Sequence, residues 1–343
     1  MSKRTEISTL GEFGLIRHLT ENIEIKHPST IKGIGDDAAI LSYQDKQVLV
    51  TTDLLLEGIH FDLTYVPLKH LGYKSAVVNF SDIYAMNGQP KQITVSLGIS
   101  NRFSVEDLEE FYTGLKLACE VYNVDIVGGD TSASLTGLCI SITCIGEGEK
   151  GKITLRSGAK ETDIICVSGD LGSAYMGLQL LEREKRIFKG EKDFTPDFAG
   201  KEYLLERQLK PEARKDIIQM LWNAGITPTA MMDISDGLSS ELLHLSKESH
   251  VGCRIYEDRI PIDYQTAAMA EQFNMNLVTA ALNGGEDYEL LFTVPLTEHD
   301  KVSEMKGIKV IGHITKQELG NYLVGRDGGE VELKAQGWNS LKE

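Results

Sequence analysis

The hydrophobic pattern changes period several times along the chain. Apolar runs at 38–42 and 47–52 flank Gln44-Asp45-Lys46, which predicts two strands joined by a short hairpin ending at Thr51-Thr52-Asp53. From Pro67, a favourable first-turn residue, Leu71, Ala76, Val77, Phe80, Ile83 and Tyr84 recur at helical spacing until Gly88 and Pro90 stop the pattern. A strand is expected at 92–99. Ser104 with Asp107 then opens a helix whose apolar stripe is Leu108, Phe111, Tyr112, Leu115, Ala118 and Tyr122. Short apolar runs at 124–127 and 138–145 supply further strands, so this first part reads as α+β.

Residues 146–155 are rich in Gly and Lys, and the pattern restarts at 163–168, which puts a boundary near 148–155. At roughly 100–200 residues per domain, 343 residues suit two domains, 1–150 and 151–343, both mixed α/β. In the second, a helix is expected at 171–182, followed by a charged, solvated loop over 183–200. Strand-like runs at 229–234, 252–256, 288–294 and 308–314 alternate with helical ones at 236–249 and 265–273.

Charge narrows the partners. The 35 Lys+Arg and 51 Asp+Glu give a formal net charge of −16, which disfavours nonspecific binding to nucleic acid or an anionic membrane surface. No apolar stretch approaches the roughly 20 residues that span a bilayer, and the start of the chain lacks a signal-peptide core, so a cytoplasmic protein is expected. Five cysteines, at 119, 139, 144, 166 and 253, form no C-x-x-C pair and are expected to be reduced, without structural zinc.

Two glycine patterns resemble nucleotide motifs and fail on context. Gly146-x-Gly148-x-x-Gly151 is followed by an extended-looking Lys152-Ile153-Thr154-Leu155, not by the helix whose N-terminus would hold a pyrophosphate. Gly33-x-Gly35-x-x-Ala38 carries Asp36 and Asp37, which would repel one. No P-loop pattern is present.

The informative signal is acid at the breaks between elements: Gly35-Asp36-Asp37, Thr51-Thr52-Asp53, Ser81-Asp82, Gly128-Gly129-Asp130 and Asp233-Ile234-Ser235-Asp236-Gly237. Each alone could be a turn or a helix cap. Together they offer the hard oxygen ligands that Mg²⁺ prefers, three of the segments after apolar strands, where α/β sites gather their ligands. Like charges about 4 Å apart repel by about 4 kcal/mol at an effective dielectric of 20, so bare acids would expel a polyphosphate. Intervening Mg²⁺ ions make both contacts attractive.

Leu10-Gly-Glu-Phe-Gly14, Gly33-Ile-Gly-Asp-Asp-Ala38, Thr51-Thr-Asp53 with Glu57-Gly-Ile-His-Phe61, Val78-Asn-Phe-Ser-Asp82, Val127-Gly-Gly-Asp130, Arg156-Ser-Gly-Ala159, Met232-Asp-Ile-Ser-Asp-Gly237, Gly284-Gly-Glu-Asp-Tyr-Glu-Leu290 and Gly337-Trp338 occur in that order. The ordered set resembles the thiamine-monophosphate kinase family, within the superfamily that includes aminoimidazole ribonucleotide synthetase and selenophosphate synthetase. The resemblance implies two α/β domains and a homodimer whose N-terminal sheets form a shared barrel. It implies transfer of the ATP γ-phosphoryl group to thiamine monophosphate, giving thiamine diphosphate and ADP. Carried over by position, Asp37, Thr51, Thr52, Asp53, Asp82, Asp130, Asp233 and Asp236 would hold several Mg²⁺ ions. Tyr112, Gly129, Asp130, Arg156 and Ser235 would contact ATP, and His60, Glu286 and Trp338 the thiamine substrate. The chain departs from the family pattern at Lys160-Glu161-Thr162 and over 183–200.

Plainer readings stand beside these roles: a surface histidine for His60, a packing anchor for Trp338, a loop cation for Arg156 and a core position for Tyr112. The acceptor is a phosphate oxygen, already anionic at neutral pH, so direct in-line transfer is expected without a single general base or a phospho-enzyme. The alternatives are another ATP-dependent member of the superfamily, or a catalytically silent Mg-nucleotide or thiamine phosphate binding protein. A selenophosphate synthetase would want a reactive Cys near the N-terminus, and residues 1–118 contain none.

Overall fold

A computed structural model describes residue 5 and residues 18–32, 40–188 and 198–336. The chain divides into two compact units, residues 1–83 with 88–151, and residues 84–87 with 152–343.

The first unit comprises β1 (Thr30–Lys32), β2 (Ile40–Leu41), β3 (Gln47–Leu56), α1 (Leu68–Ala85), β4 (Gln89–Ile99), α2 (Val105–Tyr122), β5 (Asp125–Ala133) and β6 (Cys139–Gly148). Its four-stranded sheet runs β3-β6-β4-β5, with β4 and β5 parallel and the other pairs antiparallel. The α2 crossover makes that parallel pair possible. Strand β6 alternates cleanly, with Ile140, Ile142 and Cys144 buried. Along β3, Val48, Val50 and Leu54 stay exposed.

Helix α2 starts at the capping box foreseen from Ser104 and Asp107. Helices α1 and α2 cross at glycines: a Cβ on Gly72 would lie 1.9 Å from the Phe111 carbonyl oxygen, and one on Gly114 would lie 1.7 Å from that of Lys69. No side chain fits at either point. Tyr73 and Phe80 of α1, Phe111 and Leu115 of α2, and Ile93, Ile140 and Ile142 of the sheet supply the largest fully buried side chains of this unit.

The second unit contains β7 (Ile164–Ser168), α3 (Ser173–Phe188), α4 (Glu202–Leu209), α5 (Lys215–Asn223), β8 (Ala230–Ile234), α6 (Leu238–Ser249), β9 (Val251–Tyr256), α7 (Tyr264–Gln272), α8 (Leu277–Asn283), β10 (Glu289–Val294), α9 (His299–Ser303), β11 (Ile308–Lys316), β12 (Asn321–Val324) and β13 (Glu330–Glu332). The sheet order is β13-β12-β9-β11-β7-β10-β8, antiparallel except for β12 beside β9. Strands β7, β8 and β10 are buried along their whole length, so their sequences read as near-continuous apolar runs without alternation. Beside the main core, Met176, Leu180, Leu204, Met269, Ala270 and Ala280 form a smaller cluster among α3, α4, α7 and α8.

Three local expectations change. β2 pairs with β1, and β3 with β6, so the apolar runs on either side of Gln44 do not form a hairpin with each other. Helix α3 continues to Phe188, beyond the charges that suggest a loop from residue 183. Its long Glu, Lys and Arg side chains are compatible with a solvated helical face. Helices α4, α5 and α8 were not anticipated, and the sheet of the first unit is open among the described residues, with β3 and β5 at its edges. All five cysteines are free thiols, and burial pushes Cys119 up to about 12. Among the described residues no helix is long and apolar enough to cross a membrane.

Candidate functional site

In the first unit the acids are arranged by one buried helix against one edge strand. Helix α1 is buried on every side from Leu71 to Ser81, and among its polar positions Ser75, Asn79 and Asp82 recur at helical spacing. Asn79, fully buried, donates its amide to the Ser75 carbonyl at 3.0 Å and accepts the Asp53 backbone N–H at 3.2 Å. Three residues on, the Asp82 carboxylate accepts the Thr51 hydroxyl at 2.5 Å. Thr51, Asp53 and Asp82 therefore meet inside β3 and α1, not at the breaks between elements that the sequence suggests, because β3 runs on to Leu56 and α1 to Ala85. Burial, and next the Asp82 charge, push the Asp53 carboxyl up to about 6. Thr52 takes the other direction, donating to the Ile142 carbonyl at 3.1 Å.

His60 lies in the turn after β3. The Leu56 backbone N–H donates to its Nδ1 at 3.0 Å, which assigns the proton of the neutral ring to Nε2. Glu57 anchors this turn by accepting the Leu138 backbone N–H at 2.8 Å and pairing with Arg102. Neither Glu57 nor Arg102 was singled out in the sequence.

Asp130 and Gly129 sit apart from this group. Both are exposed on β5, the edge opposite β3, with Asp130 in register with Ser96 and Gly129 with Val95. Three strand spacings separate the two edges, roughly 14 Å measured along the sheet. A Cβ on Gly129 would lie 1.9 Å from the Val95 carbonyl oxygen, so strand packing alone demands glycine there. Tyr112 is buried in the α2 stripe, its ring edge-on to Phe111, and burial pushes its phenol up to about 12.

The second unit gathers another set where β8 runs into α6. Ser235, Asp236 and Gly237 form the connection, and Gly237 has φ +121, a conformation few other residues adopt. Glu241, buried in the first turn of α6, accepts the Asp236 backbone N–H through Oε1 at 3.0 Å. Burial pushes the Glu241 carboxyl up to about 8, with Asp236 and Asp233 adding to the rise. Asp236 itself is raised by burial, against the pull of His244 and Arg156, while Glu286 adds a smaller rise. The fold thus brings Asp233, Asp236, Arg156 and Glu286 into one electrostatic neighbourhood and adds His244 and Glu241, which sequence reasoning missed. Their one visible signal is position, Glu241 and His244 lying three residues apart and hence on one face of α6.

The Gly284-to-Leu290 segment is tied to the same connection. Glu286 N–H donates to the Ser235 carbonyl at 2.7 Å, and Tyr288 N–H to the Ile234 carbonyl at 2.9 Å. Arg156 is exposed, and Ser249 at the end of α6 holds its loop by accepting the Gly158 and Ala159 N–H groups at 3.1 and 3.2 Å. Asp37 and Trp338 lie outside the described residues. Among those described, no three His, Cys, Asp or Glu side chains gather into a ready ion-holding group.

Comparison with known proteins identifies the family. Residues 35–147 match the family model described as AIR synthase related protein, N-terminal domain. The thiamine-monophosphate kinase of Aquifex aeolicus is 37% identical over 315 residues, spanning 89% of this chain and 96% of the relative. That of Bacillus subtilis is 33% identical over 341 residues, spanning 97% and 100%. A solved structure described as AaThiL complexed with AMPPCP and TMP aligns with a TM-score of 0.74 at 35% identity, covering 98% of this chain and 99% of the other. With the acidic segments in their order and relatives matched from end to end, the chain belongs to the thiamine-monophosphate kinase family.

Proposed function

We propose that this chain transfers the γ-phosphoryl group of ATP to the phosphate of thiamine monophosphate, giving thiamine diphosphate and ADP. One observation carries the reading: Asp53 and Asp82 stand together beside the Thr51 hydroxyl, with Asp53 raised by burial and by its neighbour, in a chain of this family. Such a pair is poorly suited to bind phosphate directly and well suited to hold the cations that do.

The donors are carboxylate and hydroxyl oxygens, the chemistry of a Mg²⁺ site. Thr51, Thr52, Asp53, Asp82 and Asp130 of the first unit, Asp233 and Asp236 of the second, and Asp37 would hold several ions. Bound Mg²⁺ neutralises phosphate charge and stabilises the charge spread over the transferring group. Arg156 and Ser235 would orient ATP, the guanidinium suiting a bidentate phosphate contact, with Tyr112 and the backbone of Gly129 as further contacts. His60, Glu286 and Trp338 would recognise the thiamine portion. No side chain need act as general base, because the attacking oxygen is already anionic, and the transfer is direct and in line.

The active form would be a cytosolic homodimer. The open sheet with edges at β3 and β5, and the exposed Val48, Val50 and Leu54, support closure with a second sheet into a shared barrel. The test is turnover: purified protein with Mg²⁺, ATP and thiamine monophosphate, with both products identified by chromatography. Equimolar thiamine diphosphate and ADP are expected. ADP and free phosphate without thiamine diphosphate would overturn the assignment.

A further inference from the structure

Helix α4 ends with two adjacent side chains that grip the turn carrying Glu286, and they do so with different chemistry. Within that turn Glu286 has φ +67 and Tyr288 φ +51, both left-handed conformations in non-glycine residues. Each such conformation is strained and persists only where the surroundings enforce it. Here they do. The backbone of both residues is bonded to Ile234 and Ser235, and a Cβ on Gly285 would lie 2.2 Å from the Ser235 carbonyl oxygen. Between them, the buried Asp287 carboxylate accepts the Gly172 and Ala174 N–H groups at 2.8 and 3.4 Å. Arg207 lies 3.8 Å from that carboxylate and also donates to the Asp287 carbonyl at 3.4 Å.

The next residue, Gln208, is buried, and its Nε2 donates to Oε2 of Glu286 at 2.7 Å. Glu286 itself remains half-exposed. A guanidinium therefore serves Asp287, and a neutral amide bonds one oxygen of Glu286. The kind of donor matters for a carboxylate proposed to meet a cation. An amide fixes a carboxylate oxygen by hydrogen bonding while leaving its negative charge intact, and a guanidinium at the same distance would neutralise it.

We infer that Gln208 is a positioning residue for substrate recognition, holding the Glu286 carboxylate in place for the cationic thiamine end of the substrate. This rests on the proposed role of Glu286. Gln208 touches no substrate itself; it acts through Glu286, while Arg207 secures the backbone beneath.

Steady-state kinetics on Gln208→Leu, Gln208→Met, Glu286→Gln and the Gln208→Leu/Glu286→Gln double variant test it, with melting temperatures on the same preparations. Each Gln208 variant is expected to raise KM for thiamine monophosphate about 5- to 20-fold, with KM for ATP and kcat within about twofold. The double variant should be no worse than Glu286→Gln alone, because Gln208 then has nothing to hold. Equal changes in both Michaelis constants, or effects that multiply in the double variant, would overturn the inference. A Glu286→Gln variant with unchanged KM for thiamine monophosphate would remove the role of Glu286 and this inference with it. A raised KM in Glu286→Gln beside normal Gln208 variants would remove only the role of Gln208. Both Gln208 replacements are uncharged and similar in size, so either suffices if the other fails to fold.

Discussion

Asp53 and Glu289 are both acids on strands, yet their surroundings are opposite. Glu289, at the start of β10 and 1% exposed, receives Arg207 at 2.9 Å, Arg214 at 2.5 Å and the Ser168 hydroxyl at 2.5 Å. Asp53, on β3, has a hydroxyl-bearing strand, an Asn79 amide at its backbone and a second carboxylate as the charge that shifts it. An acid that holds a fold together is supplied with its own cations. Under the proposed function, an acid that takes a cation from solution is left in the company of another acid, and the unbound protein carries the repulsion. Within one chain of net charge −16, Glu289 meets two arginines while the charge that shifts Asp53 is that of Asp82.

The sharpest way to break this comparison is to neutralise each class. Asp53→Asn and Asp82→Asn should each lower turnover by about three orders of magnitude at saturating ATP while the circular dichroism spectrum stays native, since each removes a ligand charge at the phosphates. Activity within tenfold of wild type for both would mean that this pair is not the cation site. Arg214→Ala should do the reverse. It leaves Glu289 less compensated in a buried site and should cost about 3 kcal/mol of unfolding free energy. Turnover per folded molecule should stay within about twofold. Denaturant unfolding beside an activity assay reads both.

The smallest effect concerns pH. Asp53 is raised from 3.8 to about 6, so between those values the native state holds a proton that the unfolded chain has released. Metal-free wild type should accordingly lose stability as pH rises from 4 through 6, and Asp53→Asn should lose less. The variant should be more stable than wild type by about 1 kcal/mol at pH 8 without Mg²⁺, allowing for partial exposure, and equal to it near pH 4. Millimolar Mg²⁺ should reverse the order at pH 8. Thermal melts at the two pH values, with chelator and with Mg²⁺, measure all of this, and a stability difference between variant and wild type that is no larger at pH 8 than at pH 4 would show that burial and the Asp82 charge do not strain Asp53.

Much of the local structure was legible. A helix expected over 67–88 is α1 at Leu68–Ala85, and the capping pair Ser104 and Asp107 opens α2. The runs 229–234 and 288–294 are β8 and β10. In the candidate site, Thr51, Asp53 and Asp82 were identified, but the Asn79 bond between their elements was not. Asn79 lies three residues before Asp82, but Lys74, Ser75 and Ser81 are polar positions of the same helix, so the signal was present and weak. Arg207 and Gln208 had none beyond their chemistry, because nothing in a sequence says that residue 208 reaches residue 286.

Periodicity, caps and glycines are properties of neighbouring residues, and they determined by themselves helices α1, α2, α3, α6 and α7 and most strands. Order along the chain likewise sufficed to recognise the family. Pairing was decided elsewhere. That β3 joins β6 across about ninety residues instead of β2 beside it, and that Asp130 lies on the edge opposite Asp53, depends on which surfaces can be buried together. The same holds for the division of acids into those met by arginine and those met by another acid. Local propensity is settled over a few residues, but the charge a side chain finally faces is set by contacts whose loop-closure entropy only the cooperative fold can offset.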